Sequence, residues 1–428
     1  MQMKKGIALA LVATSFVFLG ACGSSDSNGE PDGTPTPTPT PTSAPQPNQV
    51  VFTPVGAEIA EDLIDLEFLP GRNGESIAIG LGGTVYYLRA DFTPLSQTAS
   101  IAVDDDNEQG LLNVAADPDY GSNGQIYLYY TVEGSNPDIN RVTRYGVQVD
   151  VDNDTFELVN GQDIIEFNKN QAPAPGPNHN GGGMVFGANR QLFIGVGDGG
   201  GSSSSDTDEE LSQLYEISLG KVHRIIPNEN APGFTFPDCQ VIPEGDDIDC
   251  DTGTPTTVYS IGLRNPFTLT VDEESDLFLG DVGEGAFEEI NCVYFANENY
   301  GWPHCEGDCD PRVPGFQDPI HGFAHSDETF NNQDPEENQP GGPQSIMASA
   351  YYFGDQYDGR FTGKLIYNEF YDGWVRLLTL DAADRVIGDE HIGHQRGLTG
   401  LHENPADGLL YGPALFGSSQ ILRLDLLP

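Results

Sequence analysis

Short apolar segments, each introduced by a turn, recur along most of the chain. Every copy has Gly, Asn or Asp at the turn and then aromatic and β-branched residues, as in a hairpin strand. Six copies are present: LPGRNGESIAIG (69–80), DPDYGSNGQIYLYY (117–130), FGANRQLFIGVGD (186–198), VDEESDLFLGDVG (271–283), YDGRFTGKLIYNEF (357–370) and NPADGLLYGPALFG (404–417). Their spacing averages about 66 residues, near the upper range for one four-stranded blade with its loops. The pattern predicts an all-β fold, a six-bladed β-propeller; an irregular pair of β-sandwiches is the alternative.

The N-terminus has a different pattern. Two lysines precede an apolar run (6–19) of about 14 residues, too short to span a bilayer comfortably. The run ends in Leu-Gly-Ala-Cys, a small-residue cleavage pattern that also resembles a bacterial lipobox, in which Cys22 becomes the lipidated first residue. We therefore predict a lipoprotein signal peptide over 1–21 and an exported cell-envelope lipoprotein that faces the periplasm or the cell surface.

The next segment, 22–48, alternates proline with threonine through its middle and lacks apolar periodicity. Such a sequence cannot bury a core and extends as a polyproline-like spacer. We interpret it as a tether, which leaves 49–428 for the propeller.

Composition narrows the class of partner. The 428 residues include 66 Asp+Glu and only 18 Lys+Arg, for a formal net charge of −48. Nucleic acid and anionic membrane surfaces are excluded as partners because both need a basic protein face. Membrane contact is then expected only through the lipid. With 37% hydrophobic residues the chain still has enough apolar material for a large core.

Five cysteines follow the lipobox, and export permits disulfides. The shortest separations favour pairing Cys239 with Cys250 and Cys305 with Cys309, which leaves Cys292 as a buried thiol. A zinc site formed by Cys305, Cys309 and the neighbouring histidine is the alternative.

Two clusters suggest chemistry. The segment NHNGGG (178–183) contains His179, whose side chain titrates nearest neutral pH, among glycines that allow a ligand to approach the backbone. The segment GLRNP (262–266) contains Arg264, a rare cation suited to stabilising an anion, and nearby carboxylates and carbonyls suit calcium. The alternatives are a structural histidine and an arginine that merely pairs with an acid.

Longer motifs resemble the soluble quinoprotein sugar dehydrogenases and, more broadly, the glucose/sorbosone dehydrogenase family, which includes Hedgehog-interacting-protein-like members. The resemblance runs from about residue 64 to the end. It rests on these segments: QGLLNVAADPDYGSNGQIYLYYT (109–131), NHNGGGMVFGANRQLFIGVGDGG (178–200), LGKVHRI (219–225), YSIGLRNPFTLTVD (259–272), LFLGDVGEGAFEEINCV (277–293), NYGWPHCEG (299–307) and SIMASAYYFG (345–354).

The resemblance implies a six-bladed propeller that oxidises an aldose or related sugar alcohol at C1 with pyrroloquinoline quinone (PQQ). His179 matches the family's general base, and hydride passes from C1 to the quinone. Arg264 matches an arginine near the quinone oxygens, and Asn265 matches a cofactor contact. Asn178 occupies the position of the acid before the base. The electrons would then pass to a separate acceptor.

The resemblance also implies calcium. The backbone carbonyls of Gly283 and Glu284 match those that hold the calcium ion polarising the quinone. Glu289, Tyr300 and Asp310 match positions around a second, structural calcium.

The expected cofactor pocket departs from the family pattern. Tyr371 stands near the position of a carboxylate-binding lysine, and Leu398 to Gly400 replace an arginine pair. Arg396 is the nearest cation and is predicted to contact PQQ, with Lys364 or Arg376 as alternatives. Glu108 replaces the family glutamine, with Gln109 adjacent, and both are predicted cofactor contacts, as is Asn178. Two other functions stay open: a non-catalytic propeller that binds a glycan or a protein, and a lactonase or hydrolase.

Two further patterns are assigned no site. Asp150-x-Asp152-x-Asp154 has the opening spacing of a calcium loop but lacks the required glycine, so we expect a hairpin turn. His321 and His325 lie in a polar insertion (312–344) that we expect to be a solvated loop.

Overall fold

The computed structural model describes residues 49–172, 175–200, 210–243, 253–309, 313–326, 344–416 and 418–427. The predicted signal peptide and tether, with Cys22, Cys250 and Asp310, lie outside these residues. Within them, no helix is long and apolar enough to cross a membrane.

Six sheets follow one another around the ring, each built mainly from consecutive antiparallel strands. The chain begins with β1 (Val50–Val55), which joins the last blade. Blade 1 contains β2 (Leu63–Phe68), β3 (Ser76–Gly80), β4 (Thr84–Leu88) and β5 (Ala99–Ser100). Blade 2 contains β6 (Leu111–Ala116), β7 (Gln125–Thr131), β8 (Ile139–Asp150) and β9 (Thr155–Asn168). Blade 3 contains β10 (Met184–Phe186), β11 (Leu192–Val196), β12 (Lys221–Pro227) and β14 (Val258–Ile261), with β13 (Phe234–Thr235) paired to β12.

The remaining blades repeat this plan. Blade 4 contains β15 (Pro266–Val271), β16 (Leu277–Asp281), β17 (Phe287–Val293) and β19 (His321–Ala324), while β18 (Glu298–Asn299) adds to blade 3. Blade 5 contains β20 (Ile346–Tyr352), β21 (Lys364–Glu369), β22 (Trp374–Leu380) and β23 (Val386–His394). Blade 6 contains β24 (His402–Glu403), β25 (Leu410–Gly412) and β26 (Ile421–Leu426). One short helix, α1 (Tyr120–Asn123), and 3₁₀ turns at Lys169–Gln171, Ala188–Arg190 and Leu211–Gln213 complete the described elements.

Strand β1 closes the ring. It pairs antiparallel with β26 from Val50 opposite Leu426 to Val55 opposite Ile421. Blade 6 is therefore built from both ends of the propeller domain, which ties the start of the described chain to its end.

The six repeated segments occupy equivalent places in the structure. Each supplies the turn after the first strand of a blade and then the second strand: β3, β7, β11, β16, β21 and β25. The predicted six-bladed propeller is confirmed, and the β-sandwich alternative is wrong. The second strands are mainly apolar because both of their faces pack against neighbouring blades; β11 and β16 are buried along their full length.

Cysteine pairing agrees with the prediction where it is described. Cys305 and Cys309 form a disulfide, so neither sulfur is available for the alternative zinc site. Cys292 is a buried free thiol. Cys239 is disulfide-bonded, and its predicted partner lies outside the described residues.

The expectation of a solvated loop at His321 and His325 is wrong. His321 begins β19, which pairs with β17, and its ring contacts the Tyr367 hydroxyl at 2.9 Å. His325 contacts the buried Glu288 carboxylate at 2.8 Å. Phe323 between them packs edge-on against Trp374. Burial of this one aromatic side chain draws a polar sequence into a strand. By contrast, Asp150 to Asp154 form the expected turn between β8 and β9.

Candidate active site

A cavity lies where the first strands of blades 1, 2, 4 and 5 begin. It holds about 610 Å³ of empty volume, part of which is open to solvent. Glu108 is the one charged side chain among its described lining residues, and the rest of the wall is mainly apolar. The lining consists of Ile64, Leu81, Asn107, Glu108, Leu112, Asn265, Phe267, Val282, Gln344, Ser345, Met347, Phe370, Tyr371 and Leu415.

His179 lies on the loop before β10, beside this wall. Glu108 accepts the His179 backbone N–H at 2.7 Å, and the Asn265 side-chain oxygen accepts the Gly181 N–H at 2.9 Å. Both partners line the cavity. The backbone on either side of the imidazole is therefore held by the cavity wall itself.

Glycines of this loop and of the turn after β11 allow the two backbone segments to pack closely, a role that the sequence does not reveal. A Cβ on Gly197 would lie 2.2 Å from the His179 carbonyl oxygen, and one on Gly181 would lie 2.4 Å from the Gly195 carbonyl oxygen. Gly181 also has a φ of 66°. Only glycine combines the positive φ with the absence of a Cβ that this close packing requires, without displacing the loop.

Asp198 orients the imidazole. Its Oδ1 lies 2.7 Å from His179 Nδ1 and also accepts the Gly200 N–H at 2.9 Å. Its Oδ2 accepts the Trp302 indole N–H at 2.9 Å. Since a carboxylate accepts hydrogen bonds, His179 Nδ1 carries the proton and Nε2 is left to act as a base.

Asp198 stays ionised although it is fully buried. Burial alone would raise the pKa of Asp198, but the charges and hydrogen bonds of its partners, His179 first and Arg264 among the others, lower it overall. The result is a permanent negative charge behind the imidazole. That charge stabilises the imidazolium formed when Nε2 takes a proton.

Arg264 is buried, and its charge acts on Asp198. Its Nη1 donates to the Val282 carbonyl at 2.7 Å, and its guanidinium lies 5.6 Å from the centre of the Trp302 ring. Its Nε is buried and has no hydrogen-bond partner among the described residues. A buried cation with an unused donor is suited to an oxygen-bearing ligand.

Asp281, at the end of β16, fixes the backbone of this segment. Its carboxylate accepts the backbone N–H groups of Arg264 at 3.0 Å and Asn265 at 2.6 Å. Burial and the neighbouring Glu289 carboxyl, which faces it across β16 and β17, raise the pKa of Asp281 well above its usual range. Burial likewise raises the pKa of Glu289. Two buried carboxyls side by side resist carrying two negative charges.

A second loop of the site, 283–287, is organised by Glu306. A single oxygen of this carboxylate accepts four successive backbone N–H groups at 2.8 to 3.1 Å, those of Glu284, Gly285, Ala286 and Phe287. Burial alone would raise the pKa of Glu306, but these bonds outweigh it and lower the pKa. Because peptide units are trans, the carbonyls of Gly283 and Glu284 point away from Glu306.

The structure brings some predicted cofactor residues together and leaves others apart. Glu108 and Asn265 line the cavity, and Arg264 donates to the carbonyl of a third lining residue, Val282. Gln109 is buried but is not among the lining residues, and Asn178 contributes a backbone carbonyl to an internal contact. Arg396 is exposed and donates to the Tyr371 carbonyl at 2.6 Å, so it lies at the rim.

The alternative prediction, that Lys364 or Arg376 contacts PQQ in place of Arg396, is wrong. Lys364 begins β21, whereas the cavity residues Phe370 and Tyr371 follow the other end of that strand. Arg376 pairs with Asp389 at 2.8 Å in the outer half of blade 5. The positions 398–400 hold no cation, and Leu398 is part of the hydrophobic core.

The predicted structural calcium ligands are occupied within the protein. Glu289 accepts from Gly307 N–H at 2.6 Å and from the Asn291 amide at 3.0 Å, and the Tyr300 hydroxyl donates to the Cys292 carbonyl at 2.7 Å. Across the described part of the chain, no three His, Cys, Asp or Glu side chains are grouped so that they could hold a metal ion. Asp310 lies outside that part.

Sequence reasoning missed three residues of this site. Asp198 stands in a Gly-Asp-Gly-Gly turn after a buried strand, a signal that indicates a special position. Trp302 follows a glycine in the Gly-Trp-Pro motif without any sign of its distant partner. Glu306 is one acid among 66, and nothing local distinguishes it.

Comparison with known proteins identifies the class. The family model described as Glucose / Sorbosone dehydrogenase matches residues 61–412, so the chain belongs to that family. This membership confirms the prediction that the protein is an enzyme of the sugar dehydrogenase class.

Particular relatives extend the comparison. The chain is 25% identical over 381 residues to Aldose sugar dehydrogenase YliI of Escherichia coli (strain K12), which covers 87% of this chain and 93% of the relative. The fold is similar to the apo-form of the soluble aldose sugar dehydrogenase from Escherichia coli, with a TM-score of 0.64, 21% identity and coverage of 89% of this chain and 99% of that one. It is also similar to the PQQ-bound aldose sugar dehydrogenase from Streptomyces coelicolor, with a TM-score of 0.61, 23% identity and the same coverage.

Proposed function

We propose that the protein oxidises an aldose or related sugar alcohol at C1, with PQQ as the hydride acceptor. The observation that carries the proposal is the His179–Asp198 pair beside the cavity, with the buried Arg264 next to it. This arrangement supplies a base whose protonated form is stabilised and a cation for an electron-rich ligand.

The donor set fits the carbonyl end of PQQ. Arg264 has an unused buried N–H, and Asn265 lines the cavity beside it. The carboxylates of the cofactor have fewer partners, and Arg396 at the rim is the cation closest to the predicted position. We therefore assign Arg264 and Asn265 to the quinone end and Arg396 to a carboxylate.

When bound, PQQ supplies an acceptor for the hydride that leaves C1. The residues of this chain perform the remaining work. His179 Nε2 takes the proton of the C1 hydroxyl, so loss of that proton and of the hydride converts the aldose to its lactone. Asp198 keeps the imidazole in the required tautomer and stabilises its positive charge. The apolar wall excludes water from the reacting atoms.

A calcium ion bound by the carbonyls of Gly283 and Glu284 belongs to this proposal. Glu306 draws the amides of the 283–287 loop to one side, and the carbonyl oxygens of Gly283 and Glu284 are turned to the other side. Carbonyl oxygens are ligands that calcium accepts readily. The structural site at Glu289, Tyr300 and Asp310 stays a prediction.

Reconstitution tests the proposal. Purified protein is incubated with PQQ and CaCl₂, and an artificial electron acceptor is followed with a panel of aldoses. We expect sugar-dependent reduction, and we expect His179→Ala to lower kcat by about 10²-fold or more while calcium-dependent stability is kept. Equal loss of activity and stability would make His179 structural.

The same assay separates the alternatives. Calcium-dependent lactone hydrolysis without acceptor reduction would indicate a hydrolase. Retention on a glycan matrix with neither activity would indicate a binding propeller. Either result would overturn the proposal that the protein oxidises sugars with PQQ.

We also propose that the protein is an exported lipoprotein anchored through Cys22. The observations in support are the apolar run, the Leu-Gly-Ala-Cys sequence and the proline-rich segment that follows. Labelled palmitate should be incorporated covalently into the wild-type protein and should not be incorporated into the Cys22→Ser variant. Equal labelling of both proteins would contradict the anchor.

A further inference from the structure

One peptide unit of the site is held at both ends by opposite charges. The unit joins Asn178 to His179. Its carbonyl, which belongs to Asn178, accepts a hydrogen bond from the Lys169 ammonium at 3.0 Å. Its N–H, which belongs to His179, donates to the Glu108 carboxylate at 2.7 Å. We name Lys169 and Glu108 the ionic clamp.

The lysine of this clamp is unusual for its burial. Lys169 is 0% exposed, in a chain with 18 cations, and its ammonium also donates to the Gly176 carbonyl at 2.8 Å. Burial lowers the pKa of Lys169 to about 8, although Asp138, Glu108 and Asp198 act to raise it. Placing an ammonium group in the interior is costly unless it is well bonded. Here its bonds go to the loop that carries His179.

The peptide held by the clamp precedes a residue with an uncommon backbone. His179 has a φ of 51°, in the left-handed region that residues other than glycine uncommonly adopt. Its carbonyl accepts the Gly199 N–H at 3.3 Å. A left-handed backbone at a residue with a Cβ is strained, so neighbouring contacts must maintain it. The clamp holds the peptide whose rotation would release this conformation.

We propose that Lys169 and Glu108 are positioning residues for sugar oxidation, acting through the Asn178–His179 peptide to aim the imidazole at the substrate. This rests on the proposed function. Glu108 then has a role besides the cofactor contact predicted from sequence. Asp198 sets the ring from one side, and the clamp sets the backbone from which the ring projects.

Lys169→Met tests the lysine, and Lys221→Met is the matched control. Lys221 is also buried, and its ammonium donates to the carbonyls of Leu211, Ser212 and Leu219, none of which lies in the 178–183 loop. The charge of Asp198 acts to raise the pKa of both lysines, so the two variants differ in the bond to the His179 loop. In the reconstituted enzyme we expect Lys169→Met to lower kcat by about 10- to 100-fold with little change in KM. Lys221→Met should lower the melting temperature similarly and keep kcat within about twofold of wild type.

A readout on the protein without cofactor separates this inference from the proposed function. Hydrogen exchange at the His179 amide and the His179 ring signal in a histidine-labelled sample report the loop directly. Lys169→Met should speed the exchange and shift the ring signal, whereas Lys221→Met should do neither. If wild type oxidises no sugar but these changes occur, the proposed function fails and the clamp remains.

Glu108 supplies a second test that does not depend on the folding of Lys169→Met. Glu108→Gln keeps an oxygen acceptor for the His179 N–H, and Glu108→Ala removes it. We expect Gln to retain most of the amide protection and Ala to lose it, with kcat following the same order. Wild-type kcat and protection in Lys169→Met and in Glu108→Ala would overturn the clamp, as would an equal effect of Lys221→Met.

Discussion

At the scale of single residues, the site depends on side chains that fix the position of His179 and of its neighbours. Asp198 is the clearest case because its two oxygens contact the His179 ring and the Trp302 indole. Asp198→Asn preserves the shape but presents an amide to Nδ1, which favours the wrong tautomer. We expect kcat to fall by about 10²- to 10⁴-fold, measured in the reconstituted enzyme. Trp302→Phe, which removes one donor only, should have a smaller effect; the reverse order would contradict this role.

His402 links the first and last blades by charge. Its Nε2 lies 3.1 Å from Asp65 and its Nδ1 lies 3.5 Å from Glu67, both on β2. Burial alone would lower the pKa of His402, but these two acids outweigh it and raise the pKa to about 10. The folded protein therefore binds this proton more tightly than the unfolded chain. The stability that His402 contributes is complete below about pH 6.5 and is lost as the pH rises towards 10.

Denaturant unfolding across this pH range checks the contribution of His402. His402→Gln should show a smaller loss of unfolding free energy between pH 6.5 and 10 than wild type does. His394→Gln, at an exposed position on β23, should behave like wild type. Parallel pH curves for wild type and His402→Gln would contradict the argument.

The residues that could be predicted from sequence are those with a local signature. His179 lies among glycines and Arg264 is a rare cation before Asn-Pro, so both stand out within a few positions. Lys169 and Glu108 act on His179 from 10 and 71 positions away, respectively. Only the fold brings them to the same peptide unit. No local pattern marks Lys169, and Glu108 is recognised from the sequence only through the family resemblance, as a cofactor contact.

At the scale of elements, the 283–287 loop depends on a carboxylate from another loop. Glu306 lies between the cysteines of the Cys305–Cys309 disulfide, which restricts the segment that carries it. Removing four N–H···O bonds at once should release the loop and its carbonyls. We expect Glu306→Ala to abolish most of the rise in melting temperature that calcium gives, measured by calorimetry with and without CaCl₂.

Glu284→Ala is the control for this prediction. It alters a side chain of the same loop and keeps every backbone carbonyl, so calcium should still raise its melting temperature. An unchanged calcium effect in Glu306→Ala would show that the loop is not held in this way.

Elements with a repeated pattern were predictable, and elements formed by a single contact were not. The turn and apolar strand recur in every blade, and both faces of that strand are buried, so the signal is strong. Strand β19 has a polar sequence with one buried aromatic, and its partner β17 is distant in sequence. The strand is held in place by Phe323, which packs against Trp374 of blade 5.

At the scale of the whole molecule, the charge imbalance acts against compactness. Acids of two turns lie close together: Asp272 and Asp276, between β15 and β16, and Asp384, between β22 and β23, repel one another. Burial and these neighbours raise the pKa of Asp272 to about 6. Salt weakens such repulsion because the screening length falls from about 10 Å at 0.1 M to about 3 Å at 1 M. The melting temperature should therefore rise with KCl at pH 7.

A single substitution tests the origin of this dependence. Asp384→Asn removes one of the repelling charges, so it should raise the melting temperature in dilute buffer and reduce the gain from KCl. A melting temperature indifferent to salt in wild type would contradict the electrostatic account. The surface charge would then be tolerated without cost to folding.

In the proposed reaction, His179, held by Asp198, removes a proton while PQQ serves as the hydride acceptor. The most direct measurement is the absorbance spectrum of the PQQ- and calcium-loaded protein before and after an aldose is added without oxygen. We predict that the spectrum of oxidised PQQ is replaced by that of the reduced cofactor in wild type and persists in His179→Ala. No sugar-dependent change in wild type, or an equally fast change in His179→Ala, would contradict the claim.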